Sequence, residues 1–463
     1  MLNMDLFSIT TTGLSQVVTF FNQPVLTIII ALFAIGGWLF FVNLLLYVGL
    51  EFYVDYRQGK GTKDWEWVVL AIDIPAINIQ TPVAVEQLFS HLAGAYQGNS
   101  IEGKYYEGFA QRNFSFEIIS IEGYIQFLIR TEKSLEDLVK ASIYAQYPEA
   151  EIIEVEDYTN ELPDQYPNDT HDLWSADFAL AENEAYPLRT YPEFEHSIVK
   201  DDVFKDPMSA FLESFSRIGK GEQMWFQIII TPISGSWKEK AILAIKELMG
   251  DDSHKKVSDH IGDKFVRSLD KGLETLGDNV FNREASEASK DGDKGDKKVL
   301  TPGERKVLEG MERKISKTGF KTKVRAVYVA KKGVFKPSKG IPALIGSINQ
   351  FNSPTSNSLV PKFSTGTSYL FKAKQAKAKK TLMMKSYKKR KAGAGANTYI
   401  LNVEELATLW HFPMSSVQTP LLQKSSGKRA EPPSSLPIDI SEDLVGHETK
   451  PEEVEEIDFM KFG

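Results

Sequence analysis

The chain has 463 residues, a formal net charge of −8 and no cysteine. Its length allows two or three domains, and 42% hydrophobic with 25% charged residues is an ordinary globular composition. The acidic balance offers no general attraction to nucleic acid, the missing cysteine excludes disulfides, thiolate zinc sites and cysteine nucleophiles, and seven scattered His argue against a histidine-rich metal site.

Residues 25 to 50 read VLTIIIALFAIGGWLFFVNLLLYVGL, with Asn43 the single strongly polar side chain. As a helix this run is about 39 Å long at about 1.5 Å per residue, enough for a bilayer core of about 30 Å. A transmembrane helix is therefore expected over 24–50, after a short extracytoplasmic N-terminus, 1–23. No Lys or Arg precedes the run, whereas Arg57, Lys60 and Lys63 follow it. The positive-inside rule then predicts a single-pass protein of the cell (inner, cytoplasmic) membrane, N-terminus outside and the bulk of the chain cytoplasmic.

From Asp64 the hydrophobic period changes. DWEWVVLAIDIP predicts a strand, and TPVAVEQLFSHLAGAY places Val85, Leu88, Phe89, Leu92 and Tyr96 at helical spacing behind Pro82. RNFSFEIISIEG alternates Phe114, Phe116 and Ile118 on one face, Glu122-Gly123 turns the chain, and YIQFLIR returns with Ile125, Phe127 and Ile129 inward. Ser134 and Asp137 form a candidate capping box for a helix that stops before Pro148. AEIIEVED then alternates, placing Glu154 and Glu156 on one face and Ile153 and Val155 on the other. The acidic cluster here is expected to be the wet face of a half-buried strand, not a catalytic or metal site. The order β-α-β-β-α-β predicts a ferredoxin-like module over 64–160.

Residues 161–190 are polar and predicted as a linker. In DPMSAFLESFSRI, Asp206 and Pro207 open a helix with Met208, Phe211, Phe215 and Ile218 as its apolar stripe. EQMWFQIIITP and KTKVRAVYVA predict strands, IPALIGSINQFN a short helix, and Thr301 with Glu304 a capping box. Between them, 236–300 forms an insertion, helical at first and then low-complexity in NREASEASKDGDKGDKK, where disorder is expected. A proline-led helix followed by an apolar strand occurs twice, so a second, duplicated module is expected over 191–370. The fold class predicted is thus α+β: one N-terminal transmembrane helix followed by two ferredoxin-like cytoplasmic modules, the second carrying the insertion.

Residues 371–397 are predicted as a basic linker, and FKAKQAKAKKTLMMKSYKKRK (371–391) holds ten Lys or Arg and no acid. Two readings stand side by side. The run is a solvated basic segment that holds elements together, or it contacts nucleic-acid phosphates or anionic lipid through Lys377, Lys379, Lys380, Lys385, Lys388, Lys389, Arg390 and Lys391. Residues 398–437 begin with a strand and short helix, NTYILNVEELATLWHFP, and continue Pro-rich; the acidic tail, 438–463, is expected to be disordered. No catalytic, cofactor or metal site is expected. GKGTK, GKGEQ and SSGKRA lack the glycine spacing and the Ser or Thr of a phosphate-binding loop.

The strings FSFEIISIEGYIQFLIR, IYAQYPEAEIIEVEDYT, GEQMWFQIIITP, LNVEELATLWHFP and AEPPSSLP resemble the membrane-proximal region of conjugative DNA-transfer ATPases, the coupling-protein relatives of the HerA–FtsK superfamily associated with type IV secretion. The likeness runs in order over most of 65–437. It implies a single-span anchor and paired α/β modules preceding a RecA-like motor. Where the resemblance places the motor, this sequence has 26 residues and no motor motif, so no catalytic residue carries over. The expectation is a non-enzymatic, membrane-anchored scaffold or accessory component of a conjugative or type IV secretion-like system. It would position a separately encoded motor ATPase, contacted through Thr398 to Pro437, or DNA, and oligomers are compatible with this role. The alternative is a membrane-tethered nucleic-acid-binding module using 371–391.

Overall fold

The structure, a computed structural model, describes residues 27, 38–75, 78–98, 100, 102–196, 203–204, 206–250, 300–366 and 372–414. Helix α1 (Trp38–Gly61) comes first. Among the described residues no helix is long and apolar enough to cross a membrane. This overturns the transmembrane helix expected over 24–50, and with it the single-pass membrane location and the outside-to-inside orientation. The described helix is apolar only in its first half; Glu51, Asp55, Arg57 and Lys60 interrupt the rest before the roughly 20 apolar residues of a span are reached. Residues 24–26 and 28–37 of the expected span, and the N-terminal stretch before it, lie outside the described residues. Leu45, Leu46 and Phe52 on α1 stand exposed, and nothing in the structure shows what covers them.

Strand β1 (Trp67–Asp73), helix α2 (Pro82–Leu92), strands β2 (Phe114–Ile121) and β3 (Tyr124–Glu132), helix α3 (Glu136–Tyr144) and strand β4 (Glu151–Val155) follow. Glu122 and Gly123 join β2 to β3 with φ of 55° and 95°, the left-handed pair that a tight two-residue hairpin requires. Ser134 does not cap α3. Its hydroxyl donates to the Glu132 carboxylate, and a 3₁₀ turn, Lys133–Leu135, leads into the helix.

The second half contains β5 (His171–Leu180), the two-residue strands β6 (Glu195–His196) and β7 (Val203–Phe204), α4 (Met208–Ser216), β8 (Glu222–Pro232) and α5 (Trp237–Leu248). After them come α6 (Pro302–Ser316), β9 (Gly319–Lys331), α7 (Pro337–Asn349), β10 (Leu359–Ser364), α8 (Lys372–Lys388), β11 (Tyr399–Asn402) and α9 (Val403–Leu409). The capping box of Thr301 and Glu304 opens α6. Two segments differ from expectation. The polar stretch 161–190 contains β5, and the basic stretch 371–397 contains α8. Residues 251–299 of the insertion, and the acidic tail, lie outside the described residues.

Two separate ferredoxin-like modules do not form. The fold is a mixed α/β arrangement on one antiparallel sheet of nine strands, in the order β10-β5-β9-β8-β2-β3-β1-β4, with β11 pairing to the start of β9. The physical reason is the outer edge of β2. It pairs antiparallel with β8 over eight positions, from Phe114 opposite Ile230 to Ile121 opposite Gln223. The order of connection is the same in both halves, β4-β1-β3-β2 and β10-β5-β9-β8, so the halves meet through equivalent strands.

Both faces of the sheet are covered. Phe116, Ile118, Ile228 and Val324 face a large core closed by side chains of α2, α3, α4, α7 and α9. At its centre the Phe116 ring lies 4.7 Å from that of Phe89 and 4.9 Å from that of Trp410. The opposite face carries Val69, Ile119, Leu128, Trp225, Val327 and Val329, under Leu162, Tyr166, Met384 and Tyr387. On the border strand, Glu154 is exposed and Val155 only half-buried, so Glu151, Glu154 and Glu156 form a solvated rim, whereas Asp157 just after them pairs with Arg390.

Truncating Phe116, which is wholly buried beside the β2–β8 seam, is expected to destabilise the protein by about 3–5 kcal/mol. Because the sheet is continuous, denaturant melts of Phe116→Ala followed by far-ultraviolet dichroism and by tryptophan fluorescence should stay coincident. Two resolved transitions would contradict a single cooperative sheet.

Candidate functional site: a charged row beneath the basic helix

Alternation along four central strands brings one polar side chain from each to the second face of the sheet. Asp177 of β5 stands opposite Arg325 of β9, Arg325 opposite Gln227 of β8, and Gln227 opposite Glu117 of β2. All four are fully buried. Arg325 Nε donates to Asp177 Oδ1 at 2.7 Å, and Gln227 Nε2 donates to Glu117 Oε1 at 3.0 Å. A buried carboxylate needs paired charge and hydrogen bonds to offset its lost hydration.

Helix α8 and the turn after it supply those partners. Arg390 has a left-handed φ of 48°, which ends the helix and turns its guanidinium under it. Its Nε and Nη2 donate to the two Glu117 oxygens at 2.9 and 3.0 Å, a bidentate pair, and Nη2 also reaches Asp157 Oδ1 at 3.1 Å. Ser115 Oγ and the Tyr158 hydroxyl donate to Glu117 at 2.6 and 2.8 Å, and the Tyr158 and Tyr387 hydroxyls lie 2.8 Å apart. From the other direction Arg325 donates to the carbonyls of Ser386, Lys391 and Ala394 at 3.1, 2.8 and 2.8 Å. These include an acceptor in the last turn of α8, where helix carbonyls lack partners. Asp177 also pairs with Lys323 at 2.8 Å and accepts from the Ala396 amide at 3.0 Å. Gly395 permits this wrap. Its φ is 86°, and a Cβ there would overlap the Asp177 carboxylate.

The electrostatics follow from burial opposed by pairing. Burial pushes the Glu117 carboxyl up, but the Arg390 guanidinium and the hydrogen bonds from Arg390, Ser115 and Tyr158 outweigh it and hold it below its ordinary value. Asp157 behaves alike, with burial opposed by Arg390 and Thr159. Burial, and then the negative charge of Glu117, keep Tyr158 and Tyr387 protonated well above the ordinary tyrosine range. Arg130 is lowered to about 10, by burial first and then by the Arg390 charge. Ser115 donates to Glu117, but both are buried away from solvent, and among the described residues no group of three or more His, Asp or Glu could hold a metal ion.

The structure sorts the eight basic candidates. Arg390 is buried in the row. Lys380 pairs with Asp172 at 2.6 Å, and Lys388 pairs with Asp164 at 2.8 Å. Lys379 is half-buried, its ammonium 5.4 Å from the Phe363 ring centre. Lys377, Lys385, Lys389 and Lys391 are exposed, as is Lys374, and none of the five has an ion pair within the bonding distance seen elsewhere among the described residues. Lys374 and Lys385 fall on one stripe of α8, turned away from buried Met383 and Tyr387, and Lys377, two turns before buried Met384, borders that stripe.

The first part of the expected contact stretch, Thr398 to Pro437, is largely packed into the fold. Residues 399 and 401–412 are buried. Glu405 accepts from Lys314 Nζ at 3.1 Å and from the Leu188 amide at 2.9 Å, and Trp410 sits in the aromatic core. Residues 415–437 lie outside the described residues. Near this stretch a cleft of about 600 Å³ is lined by residues including Tyr96, Gln111, Trp237, Lys240 and Ile400. Glu184, on its wall, is engaged by the Ile400 amide at 3.0 Å.

The sequence reading missed Glu117, Asp157, Asp177, Gln227, Lys323 and Arg325. A signal was present. FSFEIIS, WSADF, WFQIII and KVRAVYV carry Glu117, Asp177, Gln227 and the pair Lys323 and Arg325 on a face that also holds Ile119, Trp225, Val327 and Val329. A strand with apolar residues on both faces is covered on both, so the polar residues among them are buried and must be paired.

The family model for a domain of unknown function, DUF8128, matches residues 100–425. The chain belongs to this family. No curated protein matches it. The matched stretch begins after β1 and α2, yet β1 lies between β3 and β4 in the sheet, so the folded unit extends N-terminal to the match.

Arg390→Met strands Glu117 and Asp157 without their cation and is expected to cost about 3–5 kcal/mol. Arg390→Lys should recover only part of this, because an ammonium cannot make the bidentate pair. Chemical denaturation of the three proteins side by side measures both. Glu117 and Asp157 have folded pKa values below their ordinary ones, so their contribution is complete above the ordinary carboxylate range and is lost as pH falls through the depressed values. The stability of the native protein should therefore hold from neutral pH to about 5 and drop below about 4. In Arg390→Met this acid-side loss should be smaller. Equal acid sensitivity would show that other carboxylates dominate.

Proposed function

We propose that this chain is a non-enzymatic docking platform, an accessory component of a conjugative DNA-transfer or type IV secretion-like apparatus that positions a separate motor ATPase or DNA. One observation carries the platform reading. The charged groups of the interior are committed to one another and hold α8 across the sheet, while Lys374, Lys377 and Lys385 of α8 are exposed and make no ion pair among the described residues. The interior thus serves to present a surface. The class of partner is supported by the resemblance of five ordered strings to the membrane-proximal part of conjugative ATPases. A second reading, nucleic-acid binding through 371–391, is favoured by the same unpaired lysines.

The test is direct. Purified full-length chain is expected to show no ATP hydrolysis above background. Titrated into a Walker-motif ATPase encoded beside its gene, it is expected to bind and change the hydrolysis rate at least about twofold. Hydrolysis by the chain alone would replace the platform with an enzyme. A neighbouring ATPase that neither binds nor responds would remove the motor as partner.

A further inference from the structure

The nucleic-acid reading rests on one continuous segment of sequence, but the fold adds a second. The turn from β9 into α7, AKKGVFKPSKG, carries Lys331, Lys332, Lys336 and Lys339 and no acid. All four are exposed. The turn lies against the inner flank of α8. Lys380 Nζ is 5.8 Å from the Phe335 ring centre and pairs with Asp172, which stands opposite Ala330 in the sheet. Phe335 is itself fixed, stacked on Tyr328 with ring centres 5.4 Å apart and an interplanar angle of 16°. On the other flank the half-exposed Phe363 ring lies under Lys379.

We infer that Lys331, Lys332, Lys336 and Lys339 join the outer stripe of α8 in a single two-segment face that binds the phosphate backbone of nucleic acid. This inference rests on the nucleic-acid reading and extends it. Asp172 is engaged by Lys380, Asp164 by Lys388 and Glu222 by the Tyr328 hydroxyl, and among the described residues none of the exposed lysines of the two segments makes an ion pair. Lys374 to Lys389 span about 20 Å along the helix at about 1.5 Å per residue. An extended row of this kind matches a linear polyanion with a charge every few ångströms, not a compact phosphate held in a pocket. The half-exposed Phe363 ring beside Lys379 adds a flat surface on which a base can stack. Lys380, Lys388 and Arg390 hold the helix in place and are excluded from the binding set.

The experiment measures full-length protein binding to a labelled 20-nucleotide single strand, to the matching duplex, and to vesicles of phosphatidylcholine with and without phosphatidylserine, each across a salt series. Four proteins are compared: wild type; K331Q/K332Q/K336Q/K339Q; K374Q/K377Q/K385Q/K389Q; and a control of equal charge change at exposed lysines outside both segments, K60Q/K63Q/K246Q/K306Q. Thermal melts confirm that all are folded. Each patch variant is expected to weaken nucleic-acid binding at least about tenfold and to lower the log–log salt slope by about 3, at about 0.7–0.9 for each phosphate no longer neutralised. The control should change it by less than about threefold. If the helix variant loses binding while the turn variant matches the control, the two-segment face is wrong and the nucleic-acid reading survives on α8 alone. No salt-dependent binding by the wild type overturns both. Lysine-dependent binding to phosphatidylserine vesicles in preference to either nucleic acid assigns the face to lipid and overturns the inference.

Discussion

A carboxylate in the middle of a nine-stranded sheet has to be given a cation, and here the cation comes from 273 residues away. Glu117 belongs to β2, at the seam between the halves of the sheet, and Arg390 meets both of its oxygens. Leaving Glu117 ionised without a partner in that position costs several kilocalories per mole, so the chain after β10 is obliged to cross the sheet and stop where the guanidinium reaches. The left-handed turn at Arg390, the cluster of carbonyls around Arg325 and the Gly395 wrap over Asp177 all follow from that requirement. Hydrophobic contacts of Met384 and Tyr387 with Trp225 and Val327 cover the face, but the ion pairs set where along it the helix lies.

The opposite face obeys the same constraint at smaller scale. Lys314 of α6 and Glu405 of α9 are both fully buried, and Glu405 also closes the capping box on Asn402. Lys317 bridges Glu404 of α9 and Glu86 of α2. Late elements are thereby fastened to early ones on both sides of the sheet. A basic run and a leucine-rich string near the end of the described chain act as structural clasps for strands formed far earlier. Such long-range closure favours one cooperative unit over independent modules.

Much of the local structure was legible. Period-two runs marked β1, β2, β3, β8 and β9, and the proline-led stripes marked α2 and α4, because those signals depend only on neighbouring residues. What the sequence reading could not reach was the partner of each strand edge. Nothing in FSFEIISI tells whether its outer edge meets solvent or EQMWFQIII, so two modules were expected where one sheet forms. HDLWSADFAL hid inside a polar stretch because its apolar residues are diluted by Asp172 and Asp177, whose pairing with Lys380 and Arg325 is visible only in three dimensions. The basic run was legible as lysines and not as a helix, since charge density masked the Met383, Met384 and Tyr387 stripe that seats it. The apolar run over 25–50 dominated the reading of its neighbourhood, and the acidic and basic residues of α1 entered that reading only as flanks.

The seam between β2 and β8 has a bearing on solubility. Two free-standing four-stranded sheets would present four open borders, each a template for pairing with another molecule. Joining them back to back conceals two long, apolar members of this set, FSFEIISI and EQMWFQIIITP, against each other. The borders left over are poor templates. β4 is five residues long and carries Glu151 and Glu154, while β10 has Pro361, which lacks an amide hydrogen, and a break in register between Pro361 and Phe363. The fusion that merges the halves therefore also withdraws from solvent the segments most prone to self-association, a service no single side chain in the seam could perform.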